Sequence, residues 1–152
     1  MGYVEQNLMP GEEVTYRATL HWIIYAGAAT LGLLGVILFV AISGRELAPL
    51  MGLGAGLVVL AGVVAFFDWL RVKTSEFAVT NKRVIIKTGF IRRHTLELLL
   101  RQVEAISVDQ SLTGRLLGFG SLTLTGTGGV REVFHRVVDP LEFRRRIQGQ
   151  TA

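Results

Sequence analysis

The sequence predicts an α+β membrane protein: a two-helix transmembrane hairpin, then short strands bent into one sheet or a partly open barrel, capped by a C-terminal helix. Three observations predict it. Two uncharged apolar runs, residues 22–42 and 47–67, are separated by Ser43-Gly44-Arg45-Glu46 alone. Short alternating runs broken by turn residues fill the chain from residue 76 to 138. A helix signature then follows at Asp139-Pro140.

Each apolar run matches the length a helix needs to cross the roughly 30 Å hydrocarbon core of a bilayer. Four intervening residues can only turn the chain back, so both termini fall on one side. A cleaved signal peptide fits poorly. The first run begins at residue 22, behind three acids and one Arg, and a second run follows at once. His21, Trp22 and Trp69 stand where amphipathic rings line a membrane interface. Neither run holds an ionisable residue, which removes an ion or proton pathway through the hairpin alone.

Charge gives the hairpin a direction. Residues 1–70 carry a net charge of −3 and residues 71–152 a net of +7. Arg71, Lys73, Lys82 and Arg83 closely follow the second run, whereas the turn offers only Arg45. The side richer in Lys and Arg faces the cytoplasm, so both termini are predicted to be cytoplasmic. The chain has no cysteine, which excludes disulfides and thiolate chemistry.

Small residues cluster in the runs. Gly52 and Gly56 have GxxxG spacing, and Ala28 with Gly32 repeats it. Small residues let helix backbones approach closely. Two uses are open for them: packing within the hairpin, or docking onto helices of a partner.

Before the hairpin, Pro10-Gly11 signals a turn and residues 13–20 alternate with strand periodicity within the N-terminal segment 1–21. After it, residues 71–148 are read as one domain. Residues 76–80 and 83–87 flank an Asn81-Lys82 turn, and Gly89 separates residues 83–88 from a strand over 90–96. Further strands are predicted over 103–110, 121–125 and 130–138, the last two around Gly126-Thr127-Gly128-Gly129. Residues 111–119 read as a loop or short helical turn. The closing helix spans 140–148, with Asp139 as N-cap, Pro140 at the first helical position and Glu142 as capping-box partner. Phe143 and Ile147 form its apolar stripe, and Arg144–Arg146 a solvated face.

Several of these segments match a known pattern. Phe77-Ala-Val-Thr-Asn-Lys-Arg-Val-Ile-Ile-Lys-Thr-Gly89, Gln102–Ser111, the turn Gly114-Arg-Leu-Leu-Gly-Phe-Gly-Ser-Leu122 and Asp139-Pro140 resemble, in order, motifs of a bacterial pleckstrin-homology-like membrane protein family. Pro10-Gly11-Glu12-Glu13 resembles the family's lead-in, so residues 13–20 are expected to add a strand to the same barrel. The resemblance implies a PH-like fold, a preceding transmembrane hairpin, residence in the bacterial inner membrane, and binding of proteins or lipids. Its motif residues are glycine turns and strand positions, so it carries over no catalytic residue.

No catalytic constellation is legible. GxxxxGK[ST], HExxH, CxxC and GxSxG are absent, His94 and His135 have no second ligand at metal spacing, and Glu97, Glu104, Asp109 and Glu132 are scattered. The expectation is a chain that is not an enzyme and has no cofactor. Arg71, Lys73, Lys82, Arg83, Lys87, Arg92 and Arg93 fall within a short stretch after the second run, where they either set topology or bind anionic headgroups. Nucleic acid is disfavoured, since no recognition element or exposed aromatic interleaving accompanies them. The predicted function is a non-catalytic adaptor or accessory subunit that binds other membrane proteins or itself. The alternative is a sensor of anionic lipid.

Overall fold

β1 (Val14–Ala18) and β2 (Glu76–Thr80) are antiparallel neighbours, although both apolar helices lie between them in the chain. In this computed structural model, which describes residues 2–43, 48–89 and 93–151, the chain divides into two units. One combines residues 1–21 with 72–152, and the other is residues 22–71.

In the first unit, β3 (Arg83–Thr88) pairs with β2, placing Phe77 opposite Ile86 and Val79 opposite Val84. β4 (His94–Leu99) completes a four-stranded sheet, β1-β2-β3-β4. β5 (Val103–Asp109), β6 (Phe119–Gly126) and β7 (Val130–Val138) form a second sheet in that order. Leu20 bridges Val137, His21 N–H donates to Arg136 O at 2.7 Å, and Val138 N–H to Thr19 O at 3.0 Å. The strands therefore make two sheets joined at the β1–β7 edge. Residues 90–92, where the sequence predicts the start of the fourth strand, lie outside the described residues.

Alternation along the strands aims Phe77, Val79, Val84, Ile86, Leu122 and Leu124 into one core. The C-terminal helix α5 (Pro140–Thr151) closes it with Phe143 and Ile147, both fully buried, and Tyr16 meets the Phe143 ring edge-on at 6.1 Å. The predicted capping box does not form. Asp139 N–H donates to Gly118 O at 2.9 Å, while the Glu142 carboxylate accepts from Arg146 Nε at 2.7 Å.

β2 and β3 are buried on their second face as well. Ala78 and Ile85 pack against Val4, which sits on a short N-terminal helix, α1 (Tyr3–Gln6). Glu76 holds that helix by accepting from Tyr3 N–H at 2.9 Å and Val4 N–H at 3.1 Å. A carboxylate at a helix start satisfies otherwise orphaned donors.

In the second unit, a 3₁₀ turn at Trp22–Tyr25 leads into α2 (Ala26–Ile42), and α3 runs from Ala48 to Thr74. Buried residues recur every seven: Ala28, Gly35 and Ile42 on α2, and Gly54, Ala61 and Asp68 on α3. A seven-residue repeat keeps one seam of each helix against its partner. Contact is backbone to backbone. A Cβ on Gly35 would lie 2.9 Å from Val58 N, and one on Gly54 2.8 Å from Phe39 N. Gly32 adds a looser contact, its Cβ position 3.4 Å from Ala61 Cβ.

Candidate functional site

The basic stretch 71–93 does not form one uniform patch. Arg83, at the start of β3, points inward. Its Nε lies 2.9 Å from Glu12 Oε1 and its Nη2 3.0 Å from Glu12 Oε2. Nη1 donates to Glu97, and Nη2 also reaches Asn7 O at 2.6 Å. Thr80 Oγ1 donates to Glu12 Oε1 at 2.7 Å, and Met9 N–H to Oε2 at 2.7 Å. Burial alone would push the Glu12 carboxyl up. The bonds from Arg83, Met9 and Thr80 outweigh it and hold the group below its ordinary value. The Glu12 contact raises the Arg83 value further.

This corrects the reading of Arg83 as a headgroup ligand. Four of the guanidinium's five N–H groups are engaged by two carboxylates and a carbonyl, and the side chain is buried, so it is not presented to a phosphate at the surface. Its work is to clamp the N-terminal segment onto the β2–β3 turn, where Lys82 Nζ also reaches Pro10 O at 2.8 Å. Sequence reasoning counted Arg83 with its neighbours because linear proximity does not report the inward face of a strand.

Lys87 lies over the Tyr3 ring, 4.9 Å from its centroid. Arg71, on α3, pairs with Asp68 at 3.3 Å. Lys73, Lys82 and Arg93 are exposed, and Arg92 lies outside the described residues.

Of the helix-packing candidates, Ala28 and Gly32 lie on the inner seam of the hairpin, while Gly52 and Gly56 do not. A Cβ on either of these two would meet nothing within 4 Å among the described residues. At 100° per residue, Gly54 is turned about 200° from both, so one GxGxG run serves two opposite faces. The 4-residue spacing selected Gly52 and Gly56, whereas Gly35 and Gly54 make the close approach. Beside the seam, a wholly apolar hollow of about 390 Å³ is lined by Val36, Phe39, Ala55, Val58 and Val59.

A second hollow of about 390 Å³ opens on the β domain, lined by Asp109, Gln110, Ser111, Phe119, Ser121 and Arg136 among others. Arg136 has φ +59°, a left-handed conformation that accompanies its carbonyl's bond from His21. His135 Nδ1 lies 3.0 Å from Ser121 Oγ, and His94 Nε2 3.4 Å from Glu132. No group of three metal-ligating side chains occurs among the described residues.

The first unit is thus a sheet pair closed by a C-terminal helix, and the apolar helical hairpin is inserted in the chain between β1 and β2. No curated protein matches the chain. A similar solved structure is a crystal structure from Shewanella loihica PV-4, described as a DUF1696 family protein with a pleckstrin-homology domain. It is 8% identical, with a TM-score of 0.48 over 98% of this chain and 90% of that one. The family model described as the bacterial PH domain matches residues 25–151, a span that takes in both apolar helices, β2 to β7 and α5. By that match over most of its length, the chain belongs to the bacterial PH domain family.

Proposed function

We propose that the chain is a membrane-anchored, non-catalytic binding module. Its hairpin crosses the bacterial inner membrane with both termini cytoplasmic, and it serves as an adaptor or accessory subunit that docks onto other membrane proteins. One observation carries this reading. The hairpin pairs its helices through Gly35 and Gly54, whereas a Cβ on Gly52 or Gly56 would meet nothing within 4 Å among the described residues, an outer face on which another helix backbone can pack closely. Anchoring is supported by two helices long and apolar enough to cross a membrane, of which only 17% and 11% is buried. A core helix of a soluble protein would be mostly buried.

The test is a Gly52→Cys variant, the only thiol in the chain, treated with a bifunctional thiol reagent in native membranes. An adduct with another membrane protein is expected, and Gly56→Ile should abolish it without unfolding the hairpin. A chain that gives no adduct and leaves mild detergent alone and monomeric defeats the reading.

A second reading, a surface sensor of anionic lipid, is favoured by the exposure of Lys73, Lys82 and Arg93. The internal engagement of Arg83 weakens it. Binding of the full chain to a soluble anionic headgroup analogue should then fall with salt and on Arg93→Glu; no change on that replacement rejects it.

A further inference from the structure

The β domain carries an apolar face that neither its core nor its sheets use. Between β5 and β6 stands α4 (Leu112–Leu117). Leu112 and Leu116 are 80% and 85% exposed, Leu117 is 44% exposed, and Arg115 stands between the first two. Residues at i and i+4 share one helix face. Single exposed leucines are ordinary, but two almost fully exposed on one turn are a concentrated apolar point.

The turn is held firmly. Ser111 Oγ accepts from Gly114 N–H at 3.1 Å, and Gly118 ends the helix at φ +76°. Gly114 faces Phe119 O so closely that a Cβ would lie 2.6 Å from it. The turn that presents the two leucines outward is thereby fixed at both ends.

The position of α4 indicates what covers it. Phe119, directly after the Gly118 cap, stacks on the His21 ring with centroids 5.1 Å apart. His21 is the residue before Trp22, where the first apolar helical segment begins. The edge of the domain that carries α4 is thus the edge from which the chain leaves for the hairpin. We propose that α4 is an interfacial wedge, whose leucines enter the headgroup–acyl boundary of the bilayer beside the hairpin. Arg115 reaches anionic headgroups at the same depth. The inference rests on the membrane-anchored reading above. Lipid is the occupant, in preference to a second copy, because the chain passes from His21, beside Phe119, directly into the first apolar helical segment at Trp22, and Arg115 complements an anionic leaflet.

The experiment uses the full chain in vesicles of phosphatidylethanolamine and phosphatidylglycerol, with one cysteine per variant labelled by an environment-sensitive fluorophore. Leu116→Cys probes the wedge and Leu34→Cys, exposed on α2, probes the hairpin. Thr127→Cys, in the β6–β7 turn, lies about 25 Å away along β6 and serves as the aqueous reference. Emission at 116 is expected to shift to the blue and to lose intensity to a lipid-borne quencher. Position 34 should do so more deeply, and position 127 not at all. A lipid-buried 34 with an aqueous 116 overturns the wedge alone. An aqueous 34 overturns the anchored reading and the wedge with it. A signal at 116 that vanishes when protein is diluted into excess lipid assigns α4 to a second copy and also overturns the wedge.

Discussion

Arg83 and Glu12 meet through two hydrogen bonds, Nε to Oε1 at 2.9 Å and Nη2 to Oε2 at 3.0 Å, with the Glu12 side chain wholly buried. The pair joins the segment before β1 to the first residue of β3, across the whole length of the hairpin in sequence. Removing one partner leaves the other charged and enclosed, which costs about 3–5 kcal/mol. Arg83→Met should therefore lower the urea midpoint of the detergent-solubilised protein strongly. The double variant Glu12→Leu/Arg83→Met should recover part of the loss. A single variant as stable as the parent would show that the clamp is dispensable.

The same pair sets an acid limit. The Glu12 carboxyl titrates below its unfolded value, so the folded state binds its proton less readily than the unfolded chain. Its stabilisation is complete above the unfolded value, near pH 4.5, and is lost as pH falls through the lower folded value. Urea midpoints of parent and Glu12→Gln should differ most at neutral pH and converge in acid. A constant difference down to about pH 2 would assign the acid loss to other carboxylates.

In the hairpin, Gly35→Ala and Gly54→Ala drive a Cβ against backbone atoms of the opposite helix, which cannot yield as a side chain can. Each should destabilise helix pairing by about 1–3 kcal/mol. Gly62→Ala, whose Cβ meets nothing within 4 Å, should change little. Thermal unfolding in detergent, followed by circular dichroism, separates the two groups. Equal effects at 35 and 62 would refute the seam.

Truncating Phe143 to Ala empties the point where α5 closes the two sheets, at a cost of about 3–5 kcal/mol. Leu141→Ala, on the exposed side of the same helix, should fall within about 0.5 kcal/mol of the parent. Denaturant unfolding of the two variants checks the ranking.

Sequence alone determined the coarse plan of this protein. Two apolar runs of membrane-spanning length, period-two strands around Asn81-Lys82 and Gly126–Gly129, and an i, i+4 pair at Phe143 and Ile147 are local signals, each contained within a few turns or one strand. The family motifs lie in the same local features. Tertiary structure decided what depends on residues far apart in the chain. That Arg83 faces Glu12 and Asn7 instead of solvent, that Glu76 ties down a helix at Tyr3–Gln6, and that Gly54 serves the seam while Gly52 and Gly56 do not are consequences of pairings no local window contains. So is the stacking of His21, the residue before the first apolar helical segment, on Phe119, the residue after the Gly118 cap of α4. Periodicity reports which face of an element is apolar; what that face meets is fixed only when the distant parts of the chain close on one another.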